Sequence, residues 1–170
     1  MKSAAHLVAL FLQRHGVGII GEDIFINHEP AQPNNTLTVY DYGSDRPRWM
    51  SGNERTGYRT QDFNVQVRAR GKNDADVQAL LQKTRVLLYK LERFEDDGAA
   101  DGEMYSYLRG AWNISANTSL PRDSNGLIFY VDNWRVRRGG DAVYWGAIRI
   151  SEDGDVRVAE DGLVRSGEGV

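Results

Sequence analysis

The 170-residue chain has no cysteine. That absence excludes disulfide staples, iron–sulfur clusters, thiolate zinc sites and cysteine nucleophiles together; a reducing cytoplasm fits, without being required. Proline is scarce, at 4 residues, whereas glycine reaches 18, above its usual share of about 7%. Many turns between short strands follow, and with them a sheet-containing fold. No apolar run approaches the roughly 20 residues of a membrane span. The opening MKSAAHLVALFLQRHG is too short a run, is interrupted by His6, and shows no small-x-small cleavage site before Arg14; it reads as a helix and not as a secretory signal. A basic excess is missing as well. The net charge is -3, and residues 151–170 hold six acids against two bases, which leaves the other 150 residues at +1. A near-neutral body with an acidic end lacks the field that bulk nucleic-acid binding needs.

Catalytic signatures are also absent. The three histidines, His6, His15 and His28, have no H-E-x-x-H spacing, and neither a G-x-S-x-G elbow nor a P-loop lysine occurs. The acids at 95–97 and 101–103 are oxygen donors of the kind hard cations take, but read more simply as a solvated loop. NNT, NIS and NTS match the glycosylation pattern by chance in a chain read as lacking a secretory signal. The reading is no enzyme, no cofactor and no metal.

What is present is an ordinary apolar content of 41% with 26% charged residues, enough for one main core. From Ser3 to His15, Leu7, Leu10 and Phe11 fall at helical spacing, and Gly16 stands where a helix stops. Glu22 to Asn27 reads as a short strand ended by Pro30 and Pro33, and TLTVYDYG at 36–43 as a second. Residues 44–60 have no apolar period and four arginines against two acids, so a long arginine-rich loop is expected. FNVQVRAR at 63–70 alternates cleanly as a strand.

The strongest helix signal comes next. Asn73 can cap, Asp74 and Asp76 favour the positive end of the dipole, and one stripe runs Val77, Leu80, Leu81, Thr84, Leu87, Leu88, Leu91, Phe94, with Lys90 and Arg93 at the carboxyl end. Ala111–Ser119 and Leu127–Arg138 read as strands joined by the turn PRDSNG. In the second, Ile128, Tyr130, Asp132, Trp134 and Val136 share one face and the odd-numbered residues the other, which marks a central or interfacial strand. VYWGAIRI and DVRVA flank SEDG as a hairpin, and the last ten residues are expected to be mobile.

Helix, two strands, loop, strand, helix and two strands define an α+β domain: a mostly antiparallel sheet packed by one or two helices on one face, with a long arginine-rich loop and a C-terminal hairpin extension. EPAQPNNTLTVYDYGSD, FNVQVRARG and DADVQALLQKTRVLLYKLERF, followed by SLPRDSNGLIFYVDNWRVRR, resemble the tail-terminator and minor capsid proteins of long-tailed bacteriophages. The resemblance covers roughly residues 1–138 and divides the chain into a domain at 1–138 and a hairpin extension with an acidic tail at 139–170. It implies a non-enzymatic virion protein of the tail or neck, assembled in the host cytoplasm. Such proteins form a hexameric ring that caps the tail tube, stops its growth and meets the head connector. The implied partners are copies of itself, the tube protein and the connector, with passing DNA in the lumen and no membrane.

A ring needs two unlike patches per subunit, and tryptophan, tyrosine and arginine are enriched at hot spots. The candidates are Arg46, Arg48, Trp49, Arg55, Tyr58 and Arg59 in the loop, and Trp134, Arg135 and Arg137 in the strand ending at Arg138. Three other readings compete. One is a different head–tail joining component. Another is dinucleotide binding by GVGIIG at 16–21, where the required strand-then-helix context is reversed. The third is a nucleic-acid module built on Arg135, Arg137, Arg138 and Arg149 around Tyr144 and Trp145.

Overall fold

Ser3 opens the first helix by accepting a hydrogen bond on its hydroxyl from the His6 amide at 3.2 Å. In the computed structural model, which describes residues 2–45, 48–51, 58–95, 107–140, 149–150 and 156–157, this helix, α1, spans Ala4–Arg14. The Ala5 amide, another donor the helix cannot satisfy internally, is capped from the sheet by Asp41 Oδ1 at 2.8 Å. Gly16, at φ +68°, takes the left-handed turn that ends the helix. GVGIIG is thus the turn out of α1 into β1 (Ile24–Ile26), and no helix follows it to present free amides to a phosphate.

The sheet is built from β1, β2 (Thr36–Ser44), β3 (Arg48–Ser51), β4 (Tyr58–Gly71), β5 (Phe94–Glu95), β6 (Tyr107–Leu120) and β7 (Ile128–Gly140). Its order is β1-β2-β4-β7-β6-β5, with β3 on β4. Among the described strands of this sheet, β1 and β2 run parallel and the other pairs are antiparallel. The expected mostly antiparallel α+β architecture is therefore present, with β7 central between β4 and β6.

The stretch read as a long loop is a correction. Arg48–Ser51 pairs with Tyr58–Thr60, so β4 begins five residues before the alternation at Phe63. Its other edge is paired by β7 from Arg59↔Gly140 to Gly71↔Ile128. Ladder hydrogen bonds on both sides hold this end extended where no apolar alternation announces a strand. Further along the chain, β8 (Arg149–Ile150) pairs antiparallel with β9 (Val156–Arg157) as a separate two-stranded sheet. The acidic stretch at 96–103 and the last ten residues lie outside the described residues.

Helix α2 (Asp74–Tyr89) starts on Asn73, whose side chain accepts from the Ala75 amide at 3.1 Å, with Asp74 and Asp76 in its first turn. It stops at Tyr89, before the stripe does. Leu91 and Phe94 remain buried beyond the helix, at 6% and 5% exposure. Lys90 is the C-cap, and Arg93 lies outside the helix paired with Glu95, so neither occupies the last helical turn. The periodicity continues because the chain still packs on the same core.

Both helices cover the sheet face that carries Leu37, Val39, Val65, Val67, Trp134 and Val136. Close approach at one point requires glycine: a Cβ on Gly71 would sit 2.6 Å from Val77 Cγ2 and 2.8 Å from Asn35 Oδ1. The same face holds Asp132, wholly buried, whose two oxygens accept from Arg85 of α2 at 2.9 and 3.1 Å. Removing one partner of a buried ion pair costs far more than the pair itself contributes. Arg85→Ala is expected to lower the unfolding free energy by about 3 kcal/mol, and urea denaturation followed by far-UV circular dichroism measures it.

Candidate assembly interface

The opposite, outer face of the sheet is where the surface chemistry lies, and the β-strand period decides which residues reach it. On β4 these are Asp62, Asn64, Gln66, Arg68 and Arg70, and on β7 Val131, Asn133, Arg135 and Arg137, paired in register as Val131↔Arg68, Asn133↔Gln66, Arg135↔Asn64 and Arg137↔Asp62. Their environment changes across the sheet.

Toward β2, the connection at 27–35 folds over this face. Glu29 reaches down from it to accept from Arg68 Nη1 at 3.0 Å and from the Tyr40 hydroxyl at 3.3 Å, and stands 3.5 Å from Arg70 Nη1. Arg70 donates in turn to the carbonyls of Pro33 and Asn34 at 2.6 and 3.3 Å, and Arg68 stacks 5.2 Å from the centre of the Tyr40 ring. Thr36 and Thr38 disappear beneath this cover, at 1% and 0% exposure. This half of the face is largely covered. In the middle, Gln66 donates to Asn133 at 3.1 Å and Asn133 to Ser115 at 2.8 Å, a polar tie across β4, β7 and β6.

Toward β6 the face is open. Trp112 and Ile114 are 46% and 52% exposed, and with Asp62, Arg135 and Arg137 they line a shallow concavity of about 400 Å³. Arg137 donates to both oxygens of Asp62 at 2.7 and 2.9 Å while its guanidinium lies 4.9 Å from the Trp112 ring centre. A bidentate pair of this kind fixes the planar group and so the tryptophan beneath it. Arg135 is exposed beside them. An exposed tryptophan and isoleucine beside a held arginine are residue types found at interface centres.

A second exposed apolar pair, Val86 and Tyr89 at 42% and 61%, lies on the far side of the molecule on the outward flank of α2. Tyr89 also packs edge-on against Trp134 at 5.1 Å.

The residues singled out from the sequence separate accordingly. Arg135 and Arg137 reach the open patch. Trp134 does not: it is 0% exposed in the core, because it shares its face with Val136 under α2, so it is corrected from contact residue to core residue. Arg138 is likewise buried, 2% exposed and 5.1 Å from the Phe63 ring centre, which removes it from the arginine cluster read as a nucleic-acid surface. Arg48, Trp49, Tyr58 and Arg59 belong to the β3–β4 hairpin, at the end of the sheet that also carries Asp62 and Arg137. Arg46, Arg55, Tyr144 and Trp145 lie outside the described residues. Trp112, Ile114, Asp62 and Glu29 were not singled out, although the alternation in AWNIS places Trp112 and Ile114 on one side of a strand.

Among the described residues no helix is long and apolar enough to cross a membrane, and comparison with known proteins gives the class: a structural protein of a bacteriophage virion. Residues 11–138 match the family model described as bacteriophage tail terminator protein, and the chain belongs to that family. Residues 139–170 lie outside the match. No curated protein matches the chain. Among solved structures, a chain of the virion of a native gene transfer agent particle is similar at 14% identity and a TM-score of 0.41, over 81% of this chain and 87% of that one.

Burial, then the neighbouring Glu29 carboxylate, raises the Tyr40 pKa above its ordinary 10.0. The neutral phenol is thus favoured in the folded state, and the stability this confers is complete below pH 10 and lost as pH rises through the folded-state value. Stability of the native chain is expected to fall above about pH 10, and Tyr40→Phe to flatten that fall in urea titrations at stepped pH.

Proposed function

We propose that this tail protein forms a closed ring, hexameric as in the family it resembles, that caps the tail tube, ends tube polymerisation and joins the tail to the head connector. The observation that supports a ring is the placement of the two exposed apolar patches on opposite layers. Trp112 and Ile114 lie on the outer sheet face, and Val86 and Tyr89 on the helix layer. Two unlike flanks suit head-to-tail contact, which generates a ring when the rotation closes, whereas a two-fold dimer would use one self-complementary patch. The β3–β4 hairpin, with Arg48 and Trp49, extends the open flank toward the end of the sheet and is the part we assign to the neighbouring protein. No catalysis or cofactor is part of this role.

The charge balance fits a passage for DNA. A chain of net charge -3 neutralises too few phosphates to hold a duplex tightly, so DNA in the lumen would pass without being gripped. A nucleic-acid module is the weaker reading, since Arg137 is committed to Asp62 and Arg138 is buried.

Native mass measurement of the purified protein, alone and with tube protein, is expected to show a discrete sixfold species. Trp112→Glu is expected to weaken its association by about 2 kcal/mol per interface, roughly thirtyfold, with an unchanged circular dichroism spectrum. Replacing Arg48 and Trp49 together by alanine is expected to reduce assembly in the same assay. A protein that stays monomeric at high concentration and ignores tube subunits would overturn the proposal.

A further inference from the structure

We infer that the turn leading out of α1, GVGIIG with Glu22 and Asp23, is the part of one subunit that seats in the Trp112 concavity of the next, with Ile19 against Trp112 and Ile114 and Glu22 on Arg135; this rests on the ring reading above. The turn sits at the β1 edge of the sheet, where Ile20 bridges to Ile24. The concavity lies toward β6, on the far side of the order β1-β2-β4-β7-β6, roughly 19 Å away at the usual strand spacing. A knob at one edge and a hollow toward the other are the two unlike surfaces of a head-to-tail contact, which repeats from copy to copy.

The turn is tied so that it holds its shape. The Ile19 carbonyl accepts from the amides of Glu22, Asp23 and Ile24 at 3.2, 2.9 and 3.0 Å. The Ile19 amide donates to Asp23 Oδ2 at 3.1 Å, and the Ile20 amide to Gln13 Oε1 at 2.8 Å. These bonds fix the backbone and leave the Ile19 side chain 52% exposed. An isoleucine carried on a fixed turn loses little freedom on docking, and its burial against Trp112 and Ile114 removes apolar surface from water on both partners. Charge selects the same pairing. Residues 16–27 carry two acids and no base. Asp23 is engaged by the Ile19 amide, whereas Glu22 is exposed and has no hydrogen-bond or ion-pair partner among the described residues. In the hollow, Arg137 is held by Asp62, and Arg135 is the exposed cation without a partner among the described residues. The α2 pair offers no such match: Lys90, one helical turn past Val86, has the same sign as Arg135. Ile19 supplies the buried area of the contact, and the Glu22–Arg135 pair sets the direction in which the turn enters.

The test is native mass over a concentration series, on the full chain alone and with tube protein. Ile19→Ser is expected to weaken association about tenfold. Glu22→Arg and Arg135→Glu are each expected to weaken it by a similar factor, less so in high salt, and the double variant Glu22→Arg/Arg135→Glu to return it to within about threefold of the native chain. All four positions of exchange lie on the surface, so the circular dichroism spectrum and urea midpoint of the dilute subunit are expected to stay unchanged. A double variant no stronger than the weaker single variant overturns the inference, because the two residues then do not meet. A ring weakened by Tyr89→Glu yet indifferent to Ile19→Ser also overturns it, and leaves the ring reading standing with the α2 pair as the second flank. Absence of any ring, alone or with tube protein, defeats both readings together.

Discussion

The apolar row Leu37, Val39, Val65, Val67, Trp134 and Val136 decides which way this sheet faces, because burying it is the main favourable term in folding. A carboxylate at 0% exposure among Val65, Val67 and Trp134 is tolerable only with its charge matched, and Arg85 can match it only from a helix laid across that face. Once α2 is pinned there, Gly71 lets it approach, Trp134 and Val136 are enclosed, and α1 completes the cover with Asp41 holding its N-terminus. The outer face is then left to polar and aromatic residues by default. Surface and core are two readings of one strand period.

That period explains what could be read from the residues and what could not. The alternation in FNVQVRAR and the cap at Asn73 are local signals, and both elements form where those signals lie. The strand pair within 44–60 has no such signal, because its extended form comes from ladder bonds to strands distant in the chain. The run DNWRVRR shows the same limit at the site. Alternation says that Trp134 and Arg135 point opposite ways, but both faces of this run carry charged residues, and which one is covered is settled by helices and strands distant in the chain that pack on Trp134 and Val136. Composition favoured Trp134 as a contact; burial assigns that exposure to Trp112 instead. Trp112 and Ile114 were legible as a pair on one side, yet nothing local marks their side as the open one.

Membership of the tail terminator family joins these features to a virion, and along the same strands the core and the exposed surface draw on different residues. Asp132 and Trp134 serve the fold; Arg135 and Arg137, one position on, face outward. Asp62 links the two levels, since it holds Arg137 over Trp112 and thereby sets the relief of this surface. Preorganisation of this kind reduces the ordering cost of association.

The Glu29 clasp has a geometric consequence. By closing the β2 side of the outer face it displaces the accessible area to the β6 side. A body seated there sits off the midline of the subunit. In the ring proposed above, the contact would therefore fall to one side of each subunit. Glu29, Arg68, Arg70 and Tyr40 thus act on the shape of the exposed surface by what they cover.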